Sequence, residues 1–206
     1  MDTVVGGALT RVAQTSCFLM SASERTTMAT KTLLTVEDFM RLPESVGTHD
    51  LRYELVEGEL VTMSPGMLPH NLIRDTLLVV LKAFVAPRKL GTVVSEQAFQ
   101  LSERTVRVPD VAFVRAGRQL ATDRPIEGAP DLAIEVVSPS NTPREIDRRI
   151  SDYFADGCQR VWVLYPEERE VYIHGLAGVS RRQADESLED SELLPGFSVK
   201  VSSLFE

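Results

Sequence analysis

The sequence lacks the features that mark several classes of protein. It contains only two cysteines, Cys17 and Cys158, which form neither a disulfide framework nor a zinc-ligand spacing, so we expect reduced thiols. It has no run of roughly 18 apolar residues that could form a transmembrane helix. Its first residues lack the basic and long apolar regions of a signal peptide. We therefore expect a cytoplasmic protein with no membrane partner.

The motifs of several enzyme classes are also missing. The chain has no glycine-rich motif that would cradle a phosphate. The segment Ser138-Pro139-Ser140 lacks the flanking glycines of a serine nucleophile elbow. These absences argue against nucleotide-phosphate binding of the P-loop type and against hydrolysis by a serine nucleophile.

An excess of basic residues, typical of proteins that bind nucleic acid without specificity, is absent. The chain carries 30 acidic and 22 basic residues, for a net charge of -8. This counts against strong non-specific binding to phosphates, but it does not exclude a nuclease, because a bound metal adds local positive charge. Five of the eight residues 185–192 are acidic, and we interpret this segment as a solvated loop.

The chain has 206 residues, of which 43% are hydrophobic and 25% charged, which suits one globular domain. Residues 1–27 show no periodicity and are rich in Thr, Ser, Ala and Gly. We interpret them as a disordered tail or a non-native upstream extension, and residues 28–206 as the folded domain.

Three segments carry helical signals, at residues 35–42, 70–85 and 142–156. The last signal is the clearest, because Thr142 is a good N-cap, Pro143 suits the first turn and Glu145 completes a capping box. Pro87 is expected to end the second helix, and Gly157 the third.

Strand-like patterns separate these helices. They cover residues 53–56, 59–63, 93–101, 106–114, 132–137, 161–165, 170–174 and 197–201. Glu57-Gly58 predicts a hairpin turn, and Pro109 predicts an edge or a bend in its strand. Strand 132–137, the following helix and strand 161–165 predict a parallel pair with a crossover. The expected fold class is α/β, with a mixed β-sheet flanked by helices.

Two carboxylates lie inside apolar strands. Asp110 stands in the run 108–114, and Glu135 stands in the run 132–137. Burying a carboxylate is costly unless it is paired or bound to a metal. Two carboxylates on neighbouring strands can share one hard cation, which can activate water for attack on a phosphate. As single residues, an aspartate after proline and a core glutamate are also compatible with a purely structural role.

Arg149 falls on the apolar face of the third helix, with Ile146 and Tyr153. A cation that points toward the sheet needs an acidic partner or an anionic ligand, and Glu135 and a bound phosphate are both candidates. An arginine beside an apolar stripe can also extend its charged end to solvent.

Several further residues are candidates with open alternatives. Glu54 is either an extra metal ligand or a charge at a sheet edge, and His70 is either a base or a surface or capping histidine. Glu96 precedes Asp110 by one strand and is a candidate for the same site. Arg144 and Arg148 are i,i+4 neighbours that could contact a phosphate backbone.

The sequence resembles the restriction-endonuclease domain family of the Uma-two type, a branch of the PD-(D/E)XK nuclease superfamily. The matching stretches are MATKTLLTVEDFMRLPE at 28–44, YELVEGELVTMSP at 53–65, VPDVAFV at 108–114, GAPDLAIEVVSPSNTPREIDRRISDYFADGCQRVWVLYP at 128–166 and LPGFSVKVSSLF at 194–205. The resemblance implies a restriction-endonuclease-like core and a magnesium-dependent nuclease site. Asp110 and Glu135 match the two motif acids, and Glu54 and His70 match an acidic residue and a histidine of the family.

The resemblance departs from the family pattern at the motif lysine. Val137 stands two residues after Glu135, where the superfamily motif has lysine, and Arg149 stands where this family usually has it. Arginine stays protonated and cannot act as a base.

The resulting hypothesis is a metal-dependent endonuclease that hydrolyses DNA, with Mg2+ or alternatively Mn2+ at Asp110 and Glu135. Arg149, Glu54 and His70 are the other catalytic candidates. The alternatives are a catalytically inactive interaction module on the nuclease fold and a hydrolase of a non-DNA phosphodiester. A homodimer is compatible with the sequence, which specifies no interface.

Overall fold

The computed structural model describes residues 32–42, 45–46, 49–50, 52–63 and 65–206. The predicted tail, residues 1–27, lies outside the described residues, and the domain boundary at residue 28 stays a prediction. Residues Leu33–Glu206 form one compact unit by their contacts.

Within the described part of the chain, the structure contains three α-helices, fifteen β-strands and a C-terminal 3-10 helix. The helices are α1 (Val36–Met40), α2 (Leu68–Arg88) and α3 (Pro143–Ala155), and Val201–Phe205 forms the 3-10 helix. The strands are β1 (Ser45–Val46), β2 (His49–Asp50), β3 (Arg52–Val56), β4 (Glu59–Met63), β5 (Gly91–Ser95), β6 (Phe99–Ser102), β7 (Thr105–Arg107), β8 (Val111–Arg115), β9 (Ile126–Glu127), β10 (Leu132–Val136), β11 (Arg160–Tyr165), β12 (Glu170–Gly175), β13 (Gly178–Arg182), β14 (Ser187–Asp190) and β15 (Leu194–Lys200). None of the described helices combines the length and the apolar character that crossing a membrane requires.

The principal sheet has six strands in the order β13-β12-β11-β10-β8-β5. Strands β10 and β11 are parallel and are joined by α3, as the sequence predicts, while the other neighbours are antiparallel. All five residues of β10 are buried, which explains why four of the five are apolar.

Alternating side chains of this sheet pack against different helices. Ile134 and Trp162 belong to the same core cluster as Leu77 and Leu81 of α2. The residues beside them in the strands, such as Ala133, pack with α3 instead. Because successive strand residues point to opposite faces, the two helices cover opposite faces of the sheet. This is the predicted α/β fold.

A second sheet has five strands in the order β4-β3-β7-β6-β9. The β3–β4 hairpin turns at Glu57 and Gly58, whose φ angles are 51° and 84°. Positive φ at both positions is the geometry of a type I′ hairpin turn, so the predicted turn is confirmed. Strand β7 of this sheet connects to β8 of the principal sheet through residues 108–110 alone.

The local signals at the start of α3 are confirmed. Thr142 accepts a hydrogen bond from the Glu145 backbone N–H, and the Glu145 side chain accepts one from the Thr142 N–H. This backbone hydrogen bond is the main cause of the lowered pKa of Glu145. The short helix α1 has the same capping box between Thr35 and Asp38.

The predicted limits of α2 were wrong at both ends. The helix begins at Leu68 rather than His70, and Pro87 lies inside it rather than after it. A proline in the last turn costs only one backbone hydrogen bond, so the helix continues to Arg88. It ends at Lys89, whose φ of 55° is left-handed and reverses the chain.

Two of the predicted strands are each split between two sheets. Segment 93–101 breaks at Glu96, whose φ of 50° is incompatible with a continuous strand, and forms β5 and β6. Segment 106–114 breaks at Pro109 and forms β7 and β8. Of the two alternatives for Pro109, the bend is confirmed and the sheet edge is wrong, since β8 lies between β10 and β5.

The acidic segment 185–192 is not simply a solvated loop. It contains strand β14, and Asp190 is only 5% exposed. The Asp190 carboxylate accepts a hydrogen bond of 2.8 Å from Arg160 Nε. The interpretation failed because the composition of a segment does not show whether one of its acids is buried against an arginine that is distant in the sequence. Strands β13 and β14 were not predicted.

Candidate active site

The two predicted metal-binding acids lie close together, Asp110 just before β8 and Glu135 in the neighbouring strand β10. In the antiparallel pair of β8 and β10, Val111 is opposite Ile134. Asp110 directly precedes Val111 and Glu135 directly follows Ile134, so the two acids stand next to this pair, and the Asp110 carboxylate is near enough to raise the pKa of Glu135. Like charges in such neighbouring positions repel each other. The arrangement therefore favours a cation between them.

Asp110 is held at the end of β8 by two groups. Its Oδ2 accepts a hydrogen bond of 2.7 Å from the Val136 backbone N–H. His70 Nε2, from the first turn of α2, lies 3.2 Å from the same oxygen. The hydrogen bond with Asp110 is the main cause of the raised pKa of His70. The structure thus brings His70 to the site and assigns it a partner.

Glu135 is 6% exposed and is contacted by two side chains of α3. The Tyr153 hydroxyl donates a hydrogen bond of 2.7 Å to Glu135 Oε1, and Arg149 Nη1 lies 3.3 Å from the same oxygen. Burial raises the pKa of Glu135 to about 7, against the opposing effect of Arg149, and the nearby carboxylates of Asp110 and Glu54 raise it further.

Glu54 is fully buried and its two oxygens are occupied by groups of the protein. Oε1 accepts from Arg149 Nη1 at 2.8 Å and from the Val108 N–H at 2.9 Å, and Oε2 accepts from Arg107 Nη1 at 2.8 Å. Strand β3 lies between β4 and β7, so the alternative of a charge at a sheet edge was wrong. In this arrangement Glu54 positions Arg149 rather than offering a free ligand oxygen.

Arg149 accordingly bridges two buried acids from its place on α3. Burial would lower its pKa, but Glu135 and Glu54 outweigh this and raise it. The guanidinium is therefore permanently charged, and 15% of its side chain remains exposed. The sequence analysis considered Glu135 and a bound phosphate as partners of Arg149. The structure shows the contact with Glu135 and adds a second acidic partner, Glu54.

Three residues at the site were not identified as functional from the sequence: Arg107, Asp152 and Tyr153. Arg107 is buried and donates from Nη2 to Asp152 at 2.6 Å, besides its contact with Glu54. Tyr153 was placed only on the apolar face of α3. The available signals were a charge between the apolar residues Val106 and Val108 and the helical spacing of Arg149, Asp152 and Tyr153.

The weaker candidates have other partners. Glu96 pairs with Arg74 of α2, with 3.0 Å between Oε1 and Nη1, and its backbone N–H donates to the Asp110 carbonyl. Arg148 pairs with Glu57 at 2.6 Å and is 45% exposed. Arg144 lies one turn earlier and is exposed.

The donor set of the acid pair suits a magnesium ion. No cluster of three or more His, Cys, Asp or Glu residues with metal-binding geometry occurs in the described part of the chain. Mg2+, however, commonly uses only one or two carboxylates and completes its shell with water and substrate phosphates. Among the described residues, no hydrogen bond engages Asp110 Oδ1 or Glu135 Oε2, so each acid has an oxygen to offer.

The mixed sheet with helices on both faces, and the two acids at its neighbouring strands β8 and β10, define a restriction-endonuclease-like fold. The family model of Uma2, described as "Putative restriction endonuclease", matches residues 36–202. The chain therefore belongs to this family, and the membership supports nuclease activity as its general function.

A solved structure has the same fold. It is the crystal structure of a protein from Anabaena variabilis that is described as a putative nuclease belonging to DUF820. The similarity has a TM-score of 0.72 at 20% sequence identity and covers 84% of this chain and 97% of the other. No curated protein matches the sequence.

Proposed function

We propose that this protein hydrolyses phosphodiester bonds of DNA with a divalent cation, Mg2+ or Mn2+, bound by Asp110 and Glu135. The observation that carries the proposal is the proximity of these two acids beside the Val111–Ile134 pair, with Arg149 Nη1 3.3 Å from Glu135 Oε1. Two neighbouring carboxylates repel each other, and a bound cation would offset this repulsion. Membership in a family described by endonuclease activity supports DNA as the substrate.

The protein's own groups fix the orientation of the two carboxylates. His70 and the Val136 N–H hold Asp110 Oδ2, and Tyr153 and Arg149 hold Glu135 Oε1. A divalent cation held by Asp110 and Glu135 would supply charge neutralisation and an activated water.

Arg149 contributes a fixed positive charge beside the bound phosphate. Glu54 holds its Nη1 from the side of the second sheet, while Glu135 lies on the other side. Because arginine does not lose its proton, its role is to stabilise negative charge on the phosphate rather than to remove a proton from water. Glu54 assists by positioning Arg149, and His70 assists by orienting Asp110.

The test is cleavage of plasmid and single-stranded DNA by the full chain with Mg2+ or Mn2+. Asp110→Asn and Glu135→Gln should each reduce the rate by more than about 100-fold, since several kcal/mol of charge stabilisation depend on them. Glu167→Gln removes an exposed acid in the β11–β12 turn and is the matched control, which should cleave at the parent rate.

Other outcomes would identify the alternatives. Cleavage of RNA or small phosphodiesters, but not DNA, would indicate a hydrolase with another substrate. Failure to cleave any of these substrates, together with no heat of Mg2+ or Mn2+ binding in calorimetry, would contradict the proposal and leave an interaction module on the nuclease fold.

A further inference from the structure

An open groove of about 440 Å³ lies beside the acid pair and has no part in the proposed hydrolysis. It is lined by Tyr53, Met63, Ser95, Glu96 and Val108. The groove lies where the second sheet meets the ends of β5 and β8. Tyr53 and Met63 come from the β3–β4 hairpin, and Ser95 is the last residue of β5.

The lining is connected directly to the site. The Val108 N–H donates to Glu54 Oε1 at 2.9 Å, and Ser95 is paired with Val111, the residue after Asp110. The Glu96 N–H donates to the Asp110 carbonyl at 3.2 Å. A group in this groove would therefore be a near neighbour of a phosphate bound at Asp110.

The chemistry of the lining favours an uncharged planar group over a phosphate. No lysine or arginine is among the described residues that line the groove, and Glu96 contributes a carboxylate that would repel an anion. Arg74 offsets this charge from α2, at 3.0 Å. Tyr53, which is half-buried, supplies an aromatic ring, and Met63 supplies a polarisable thioether that packs well on rings.

We propose that this groove binds an unpaired nucleobase next to the scissile phosphate, with the Tyr53 ring as its stacking surface. The inference rests on the proposed function, because the phosphate at Asp110 places the base. A base within a duplex has both faces covered by its neighbours, so only a single-stranded or extruded base can lie on Tyr53. The substrate would then be unpaired at the cleavage point.

The test measures binding rather than cleavage. The full chain is titrated by fluorescence anisotropy with labelled single-stranded oligo(dT) and with an oligomer of equal length made of abasic sugar-phosphate units, in Ca2+ and separately in EDTA. The two probes carry the same backbone charge, so their difference reports base contacts alone. The parent protein should bind oligo(dT) about tenfold more tightly, as expected for stacking of one base on an aromatic side chain.

Variants of Tyr53 test whether the preference for oligo(dT) over the abasic oligomer comes from the groove. Tyr53→Leu should remove most of it, whereas Tyr53→Phe, which keeps the ring, should retain it. Tyr172→Leu is the matched control, because Tyr172 is another half-buried strand tyrosine that does not line the groove. Circular dichroism checks folding, and the comparison of the two probes on the parent protein tests the proposal even where a variant does not fold.

The outcomes separate this inference from the proposed nuclease activity. Equal binding of the two probes by the parent, no saturable binding of oligo(dT), or an unchanged preference in Tyr53→Leu would each overturn the base site. A Tyr53-dependent preference in a protein that cleaves no DNA would support the base site while the proposed hydrolysis fails. Cleavage that depends on Asp110 without any base preference would support only the hydrolysis.

Discussion

Two side chains one helical turn apart hold the same oxygen of Glu135. Tyr153 donates to Oε1 at 2.7 Å, and Arg149 approaches it at 3.3 Å. Burial and the nearby Glu135 carboxylate raise the pKa of Tyr153 well above its ordinary value, so its hydroxyl keeps the proton it donates. The two contacts have separable effects, because only Arg149 carries charge.

The first prediction concerns Tyr153→Phe, which removes the hydroxyl and keeps the ring. The folded protein should lose about 2 kcal/mol of unfolding free energy, as for a hydrogen bond to a charged group. Mn2+ affinity, measured by calorimetry, should fall about tenfold, as is usual when a partner that orients a metal ligand is removed. Tyr165→Phe is the control. An unchanged Mn2+ affinity would contradict the role of Tyr153 in orienting Glu135.

The second prediction concerns Arg149→Met, which leaves Glu54 and Glu135 without their shared cation. The unfolding free energy should fall by about 3–5 kcal/mol, the usual effect of breaking a buried ion pair. Arg148→Met, in the next position of α3, removes only an exposed pair with Glu57 and should cost less than about 1 kcal/mol. Urea unfolding measures both, and equal losses would show that Arg149 is not held by these acids.

The third prediction concerns His174, whose pKa is lowered by burial against a weaker opposing effect of Asp147. A lowered pKa means that the folded state disfavours the protonated form. The contribution of His174 is therefore present above the unfolded pKa of about 6.5 and is lost as pH falls through the folded pKa. Between pH 7.5 and 5.5, the parent should lose more unfolding free energy than His174→Gln. Equal losses in parallel urea titrations would refute this.

At the scale of elements, α3 carries Arg149, Asp152 and Tyr153 on one face, so its start determines how these groups meet the sheet. The fourth prediction is that Thr142→Ala lowers the unfolding free energy by about 1 kcal/mol through loss of the N-cap. It should also reduce DNA cleavage.

The capping box of α1 provides the matched control for this prediction. Thr35→Ala removes the same kind of cap from a helix that contributes no residue to the site. It should lower stability without changing the rate per folded molecule. If both variants cleave like the parent, the capping box of α3 has no influence on the site.

The elements that could be predicted from the sequence are those specified by neighbouring residues. The start of α3 is specified within four consecutive positions, by Thr142, Pro143 and Glu145. The β3–β4 hairpin is specified by the two adjacent residues Glu57 and Gly58. The break at Glu96 could not be predicted, because glutamate has no preference for a positive φ and only the two sheets impose it.

The same reason limits how much of the candidate site's geometry could be predicted. Asp110 and Glu135 are conspicuous as charges within apolar runs of the sequence. Arg107 is conspicuous too, but its role depends on Glu54 and Asp152, which are 53 and 45 residues away. Only the three-dimensional fold shows that Arg107 forms hydrogen bonds with both of these acids.

At the scale of the whole molecule, a bound cation should stabilise the fold, because the acids come together only in the native state. The fifth prediction is that saturating Mn2+ raises the melting temperature of the parent. A concentration 100 times the dissociation constant corresponds to about 2.7 kcal/mol. Asp110→Asn and Glu135→Gln should show no such increase, whereas Glu167→Gln should show the full increase. An equal increase in all four proteins would place the cation elsewhere.

The hydrogen bond between Glu54 and Arg149 joins residues 95 positions apart. A growing chain emerges from the ribosome from its N-terminus, so Glu54 and Arg107 are exposed well before Arg149 and Tyr153 have been synthesised. Contacts of such separation also slow folding, since a long loop must close first. The contacts of Arg149 with Glu54 and Glu135 therefore form late. An unfinished chain carries Glu54 without helix α3, which supplies Arg149.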